Sequence, residues 1–275
     1  MKIDSHQHFW KYHPVKDSWI NDDMKLLKQD FLPSDLYPLF RENNIAGCVA
    51  VQADQSENET HFLLELASEN DWIKAVVGWI DLRAENLEER LEYFSKYKKL
   101  KGFRHIVEAE AQDDFLLRED FCNGISKLKK YNFTYDILVR PKHLKFAAEF
   151  LKRFPNQSFV IDHLAKPDIK NADFSVWEKE IRQIATYPNV YCKVSGLVTQ
   201  ADWKNWKIAD FTNCLDIITE AFGINRLMFG SDWPVSLLAA SYEQSTEILE
   251  SYFSKFSKEE QDQFWGGNAI VFYDL

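Results

Sequence analysis

Four residues in this sequence have the type and spacing for work on water: His6, His8, His163 and Asp232. His6 and His8 lie two apart in the run DSHQHFW. On a strand, side chains alternate between faces, so both imidazoles share one face beside Asp4. Asp232 sits in RLMFGSDWP and His163 in FVIDHLAKP. Neutral imidazoles and a carboxylate gathered at one point hold a divalent ion, or act directly as proton acceptor and donors. Plainer readings exist for each. The histidine pair could decorate a solvated edge strand, His163 could be structural, and Asp232 could cap the turn before Pro234. Their force comes from being found together.

Those residues need elements that bring them to one place. Short apolar runs recur over Lys2–His8, Ile45–Ala53, Ile73–Asp81, Leu100–Ile106, Phe133–Val139, Ser158–His163, Val190–Gly196 and Arg226–Asp232. Amphipathic segments such as ENLEERLEYFSKY and LKFAAEFLKRF lie between them. Strand then helix, repeated eight times without a linker, predicts one domain over residues 1–275, a single (β/α)8 TIM barrel of the α/β class. A doubly wound open sheet is the alternative, but the first strand ends in HQHFW where a glycine-rich phosphate turn would stand. In a closed barrel strand eight pairs with strand one, making Asp232 a neighbour of His6 and His8. On the sixth strand, alternation sets His163 on the face of Ile161 and Phe159 and turns Asp162 away.

Further polar groups cluster where strands end: Gln52, Asp54, Asp81, Arg104, His105, Asp136, Arg140, Lys193 and Ser195. In a barrel that is where function gathers. Arg104 and His105 are adjacent, so only one of them points inward on a regular strand. Lys193 and Ser195 share a face; inward, Lys193 brings positive charge to the mouth, and outward it packs on helices. Two insertions, Phe9 to Asp30 and Val198 to Lys207, carry Trp10, Trp19, Trp203 and Trp206. Trp10 follows His8 and Trp233 follows Asp232, and flat aromatic faces there suit a ring-shaped substrate.

The formal net charge of −10 and the lack of a basic stripe argue against nucleic acid as a partner. No run of eighteen apolar residues marks a membrane span, and MKIDSHQHFW does not read as a signal peptide. Cys48, Cys122, Cys192 and Cys214 show no CxxC or disulfide spacing, which fits buried thiols in a reducing cytoplasmic compartment.

Taken in order, DSHQHFW, GFRH, DHLAKP, KVSGL and FGSDWPV resemble the amidohydrolase-related lactonases, a group that includes enzymes acting on L-fuconolactone, L-rhamnonolactone and 2-pyrone-4,6-dicarboxylate lactone. The resemblance runs from residue 1 to the GGNA near the end. It implies a barrel that hydrolyses a cyclic ester with Asp232 as general base. His6, His8 and His163 would then be catalytic partners or, with Asp232, ligands of one divalent ion, zinc or manganese, dispensable in some members. Arg104, His105, Lys166, Lys193, Trp10 and Trp233 are the expected substrate-binding residues. The sequence departs from two-metal members, because no lysine ends the fourth strand to bridge a second ion. The expected partner is a small lactone, of the aldonolactone type, with homo-oligomerisation allowed. A metal-dependent decarboxylase or a silent sugar-binding barrel are the rival readings.

Overall fold

A computed structural model describes residues 1–275. Eight parallel strands follow one another in chain order around one sheet: β1 Lys2–Gln7, β2 Ile45–Val51, β3 Ile73–Gly78, β4 Leu100–His105, β5 Thr134–Ile137, β6 Phe159–Ile161, β7 Val190–Val194 and β8 Leu227–Phe229. The sheet closes into a (β/α)8 barrel just beyond the strand ends. Asp232 N donates to His6 O at 2.8 Å and His8 N to Trp233 O at 2.8 Å. Asp4 adds a side-chain clamp over the same seam, with Oδ1 accepting from Ser231 N at 2.9 Å and from His6 N at 3.1 Å.

Outside run α1 Pro33–Glu42, α2 Glu57–Glu69, α3 Leu87–Phe94, α4 Glu119–Leu128, α5 Leu144–Arg153, α6 Ser175–Ala185, α7 Thr212–Phe222 and α8 Tyr242–Phe253. Their positions follow from the sequence. In α5, Leu144, Ala147, Ala148 and Leu151 recur at helical spacing, and all four are buried against the barrel. Ser241 starts α8 by accepting from Gln244 N while Gln244 Oε1 accepts from Ser241 N, a reciprocal capping pair. No helix is long and apolar enough to cross a membrane. All four cysteines are buried and unpaired.

The tail forms α9 Lys258–Asp262, a π turn over Gln263–Gly267 and α10 Asn268–Tyr273. Gly266 lies so close to the Met1 carbonyl that a Cβ there would collide with backbone. This lets α10 close the barrel's lower end. Ala269, Phe272 and Tyr273 pack on Ile3, Val49, Val51, Ala75, Val77, Val160 and Met228 from the strands.

The strands are shorter than the apolar runs suggest, by two or three residues at the C-terminal ends of β6 and β8. This corrects the expectation for Asp162. The strand stops at Ile161, strand alternation stops with it, and Asp162 lies fully buried inside the barrel.

Candidate active site

The C-terminal ends of the strands surround a cavity of about 370 Å³. Its base holds His8, Arg104, His163 and Asp232, and one wall carries Trp10 and Trp19 from the loop after β1. The opposite wall carries Glu108, Arg140 and Lys166 from the loops after β4, β5 and β6.

His6 and His8 point inward together, as alternation requires, and their Nε2 atoms lie 3.2 Å apart. Their partners fix which nitrogens carry protons. His8 Nδ1 is 2.7 Å from Val51 O, which only accepts, so the proton is on Nδ1 and Nε2 keeps its lone pair. His6 meets an obligate donor at each nitrogen, Arg104 Nη1 3.2 Å from Nε2 and Lys193 Nζ 3.3 Å from Nδ1, and the Asp162 carboxylate beside Nδ1 favours the proton there, leaving Nε2 to accept. His6 Nδ1–H then faces Asp162 Oδ1 at 3.2 Å. Two lone pairs therefore face each other, with Asp232 Oδ1 3.5 Å from His8 Nε2. Ligands about 2.1 Å from a common tetrahedral centre sit about 3.4 Å apart, so this donor set fits one divalent cation. His6, His8 and Asp232 are the three residues that would hold it. Burial pushes the His6 and His8 imidazoles below their ordinary pKa, which keeps them neutral donors.

His163 enters by an unusual route. His163, Leu164, Ala165 and Lys166 all have positive φ, between 52° and 58°, a single left-handed turn closed by Lys166 N donating to His163 O at 2.7 Å. Left-handed backbone costs roughly 1–2 kcal/mol per ordinary residue, so packing must hold it. Leu164 and Ala165 are fully buried, and Trp177 Nε1 donates to Leu164 O at 2.6 Å. The turn aims His163 Nε2 toward Asp232 Oδ1 at 3.8 Å, with His163 Nδ1 against Ser195 Oγ at 2.8 Å. Gly196, itself at φ 63°, makes room; a Cβ there would stand 2.7 Å from His163 Nδ1 and 3.0 Å from Asp232 Oδ2. Burial lowers the His163 pKa to about 4. Burial pushes Asp232 the opposite way, but His163 and His8 outweigh it and hold that carboxyl below the usual carboxylate range.

Beneath this layer lies a second one. Lys193 Nζ is 2.5 Å from Asp136 Oδ2 and 3.2 Å from Asp162 Oδ1, and Arg104 Nη1 is 3.1 Å from Asp162 Oδ2. Tyr273 OH reaches Asp136 Oδ2 from below at 2.8 Å, and Lys193 touches His6 Nδ1 at 3.3 Å. Arg104 Nη2 also donates to Gln52 O.

Three expected substrate-binding residues lie elsewhere. Lys193 does point inward, but it is fully buried under the cavity and engaged by two carboxylates, so it presents no charge at the mouth. His105 points outward because Arg104 takes the inner face of β4; it stacks on Phe115 and meets Glu110 Oε1 at 2.6 Å. Trp233 packs edge-on against Phe9 and Phe31 instead of facing the cavity. Arg104, Lys166 and Trp10 do line it. Glu108 and Gln55 line it without having stood out in the sequence. Both lie in loops within about five residues of a strand's end, and scanning those windows for polar groups would have found them.

Residues 3–275 match the family described as amidohydrolase. The chain is 41 % identical to an L-fucono-1,5-lactonase of Burkholderia multivorans, over 100 % of this chain and 96 % of that protein. Identity to an L-fucono-1,5-lactonase of Burkholderia ambifaria is 32 %, with coverage of 100 % and 96 %. A crystal structure of an amidohydrolase from Burkholderia multivorans with bound zinc superimposes with a TM-score of 0.97 at 41 % identity, covering 100 % of this chain and 99 % of that one. The chain belongs to the amidohydrolase family.

Proposed function

We propose that this protein is a lactonase, a carboxylic-ester hydrolase that opens a sugar lactone of the aldonolactone type. L-fucono-1,5-lactone is the first candidate substrate, because the two relatives above carry that activity in their names. The observation that carries the reading is Asp232: an ionised carboxylate at the cavity base with two neutral imidazoles beside it and no lysine or arginine in ion-pair contact. Such a group is free to take a proton.

Asp232 accepts the proton of a water placed between it and the lactone carbonyl. The oxygen of that water attacks, and negative charge develops on the carbonyl oxygen. Arg104 and His163, through a proton on its Nε2, stabilise that charge, while His6 and His8 present only lone pairs there. Asp232 then returns the proton to the ring oxygen as the ester C–O bond breaks, releasing the ring-opened acid. A divalent ion held by His6, His8 and Asp232, zinc by analogy with the relative that binds it, would polarise the carbonyl or lower the pKa of the water. His8 keeps its lone pair on Nε2 through Val51 O, and His6 does so through Asp162, whether or not the ion is present. The Trp19 face, backed by the buried Trp10, holds the sugar ring. We place the activity in cytoplasmic carbohydrate metabolism, in keeping with the unpaired cysteines.

A pH-indicator screen of aldonolactones, run with and without chelator and with metal analysis of the purified protein, tests the reading. The expected result is acid release from an L-configured lactone by a protein holding no more than one ion per chain. Failure on every lactone, with carbon dioxide released from a carboxylated substrate instead, would overturn it.

A further inference from the structure

The wall facing Trp10 and Trp19 contains charges that the reaction above does not use. Glu108 sits between two cations. Lys166 Nζ donates to Glu108 Oε1 at 2.5 Å, and Arg140 Nε lies 3.0 Å from Glu108 Oε2. Lys166 and Glu108 side chains are each 15 % exposed, whereas Arg140 is 52 % exposed at the rim. Burial works against the Glu108 charge, but Lys166 and then Arg140 outweigh it and hold the carboxyl ionised. Glu108 Oε2 is buried, yet nothing donates to it in good hydrogen-bond geometry. It therefore has acceptor capacity facing a cavity meant for a ring with hydroxyl groups.

We propose that Glu108 is the specificity-determining residue of this site, selecting neutral polyhydroxy lactones and shutting out lactones that carry a carboxylate. The argument rests on the lactonase reading above. Carboxylates are recognised by free guanidinium or ammonium groups, through short charge-assisted hydrogen bonds. This wall has both cations, and the Glu108 carboxylate already partly neutralises both. An anionic substituent entering here meets the Glu108 charge, and that repulsion offsets the attraction it draws from Lys166 and Arg140. A neutral hydroxyl does better, because it donates to Glu108 Oε2 and accepts from Lys166 or Arg140 at once. Removing the Glu108 charge raises the cluster from a net +1 to +2 and frees both donors. Selection thus comes from a repulsive group as much as from an attractive one.

The test compares an aldonolactone with the matching aldaric monolactone, which differs by a terminal carboxylate. Wild-type protein should prefer the neutral ring. In Glu108→Gln, KM for the neutral lactone should rise about tenfold and KM for the acidic one should fall about tenfold, the range of one charged hydrogen bond. Unchanged selectivity in a folded Glu108→Gln protein would overturn the proposal. Arg140→Gln, at the exposed rim, guards against a folding failure in the first variant. It leaves Glu108 in place, so rejection of the acidic lactone should persist or deepen, and a gain of acidic turnover there would also overturn the proposal. If wild-type protein opens no lactone, the lactonase reading fails separately. Calorimetry with glucarate dianion and with a neutral alditol then still decides the role of Glu108: glucarate should bind to Glu108→Gln and not to wild type, and equal binding to both would sink it.

Discussion

The floor and the mouth of this barrel both hold buried aspartates, and the two behave differently. On the floor, Asp136 and Asp162 face Lys193 and Arg104, with Tyr273 completing the set, and all five are buried with at least one charged or hydroxyl partner within 3.2 Å. At the mouth, Asp232 has two neutral imidazoles and no cation in ion-pair contact. A carboxylate enclosed by cations is committed to structure. One with no cation in contact retains a lone pair for chemistry. The floor also serves the mouth, because Asp162 takes the proton side of His6 and so turns its Nε2 toward Asp232.

This contrast breaks most sharply at its two aspartates. Asp232→Asn preserves shape and removes basicity, so turnover should drop roughly 10²–10⁴-fold with the melting temperature nearly unchanged. Near-normal turnover would remove Asp232 from the role. Asp162→Asn should show the reverse emphasis. It strands Lys193 and Arg104 against a neutral amide, and breaking a buried pair costs about 3–5 kcal/mol of folding stability. Urea unfolding at neutral pH measures it; a loss below about 1 kcal/mol would mean the floor charges are solvated or redundant.

The pH profile gives a finer test. As the proposed base Asp232 would work ionised, and its pKa is held below the usual carboxylate range. His163 is neutral above about pH 4. Asp232 therefore stays ionised below the usual carboxylate range, and His163 leaves its neutral state as the pH falls through about 4. The acid limb of kcat/KM should lie near pH 4, and a limb near the ordinary histidine value of about 6.5 would show that the mouth is wetter than its geometry implies. The smallest effect belongs to Trp19, which is 41 % exposed and meets Trp10 edge-on. Trp19→Ala should raise KM a few-fold and leave kcat alone, as expected if it contacts the ring of the substrate and not the reacting bond.

The barrel and its seam were legible in the sequence because their signals are periodic. Eight apolar runs separated by amphipathic segments have few other solutions, and closure then brings Asp232 to His6 and His8 without any local clue. Asp162 was misread because a period of two holds only while the strand lasts, and here it ends at Ile161. The face of Lys193 stayed open in the sequence; it proves to be the inward one, but fully buried below the cavity, because depth follows from strand tilt and register, which one sequence does not display. Glu108 escaped notice for a third reason: its meaning lies in Lys166 and Arg140, residues of two other loops.

The left-handed turn from His163 to Lys166 has an evolutionary corollary. One residue at the reaction centre and one at the substrate wall hang from the same four strained peptide units, clamped by Trp177. They are geared together: a change that re-aims Lys166 also tilts the imidazole beside Asp232. New substrate preferences are then cheaper to acquire through Glu108 and Arg140, which ride on separate loops. Variation among descendants of this protein should accumulate there while the DHLAK segment stays fixed.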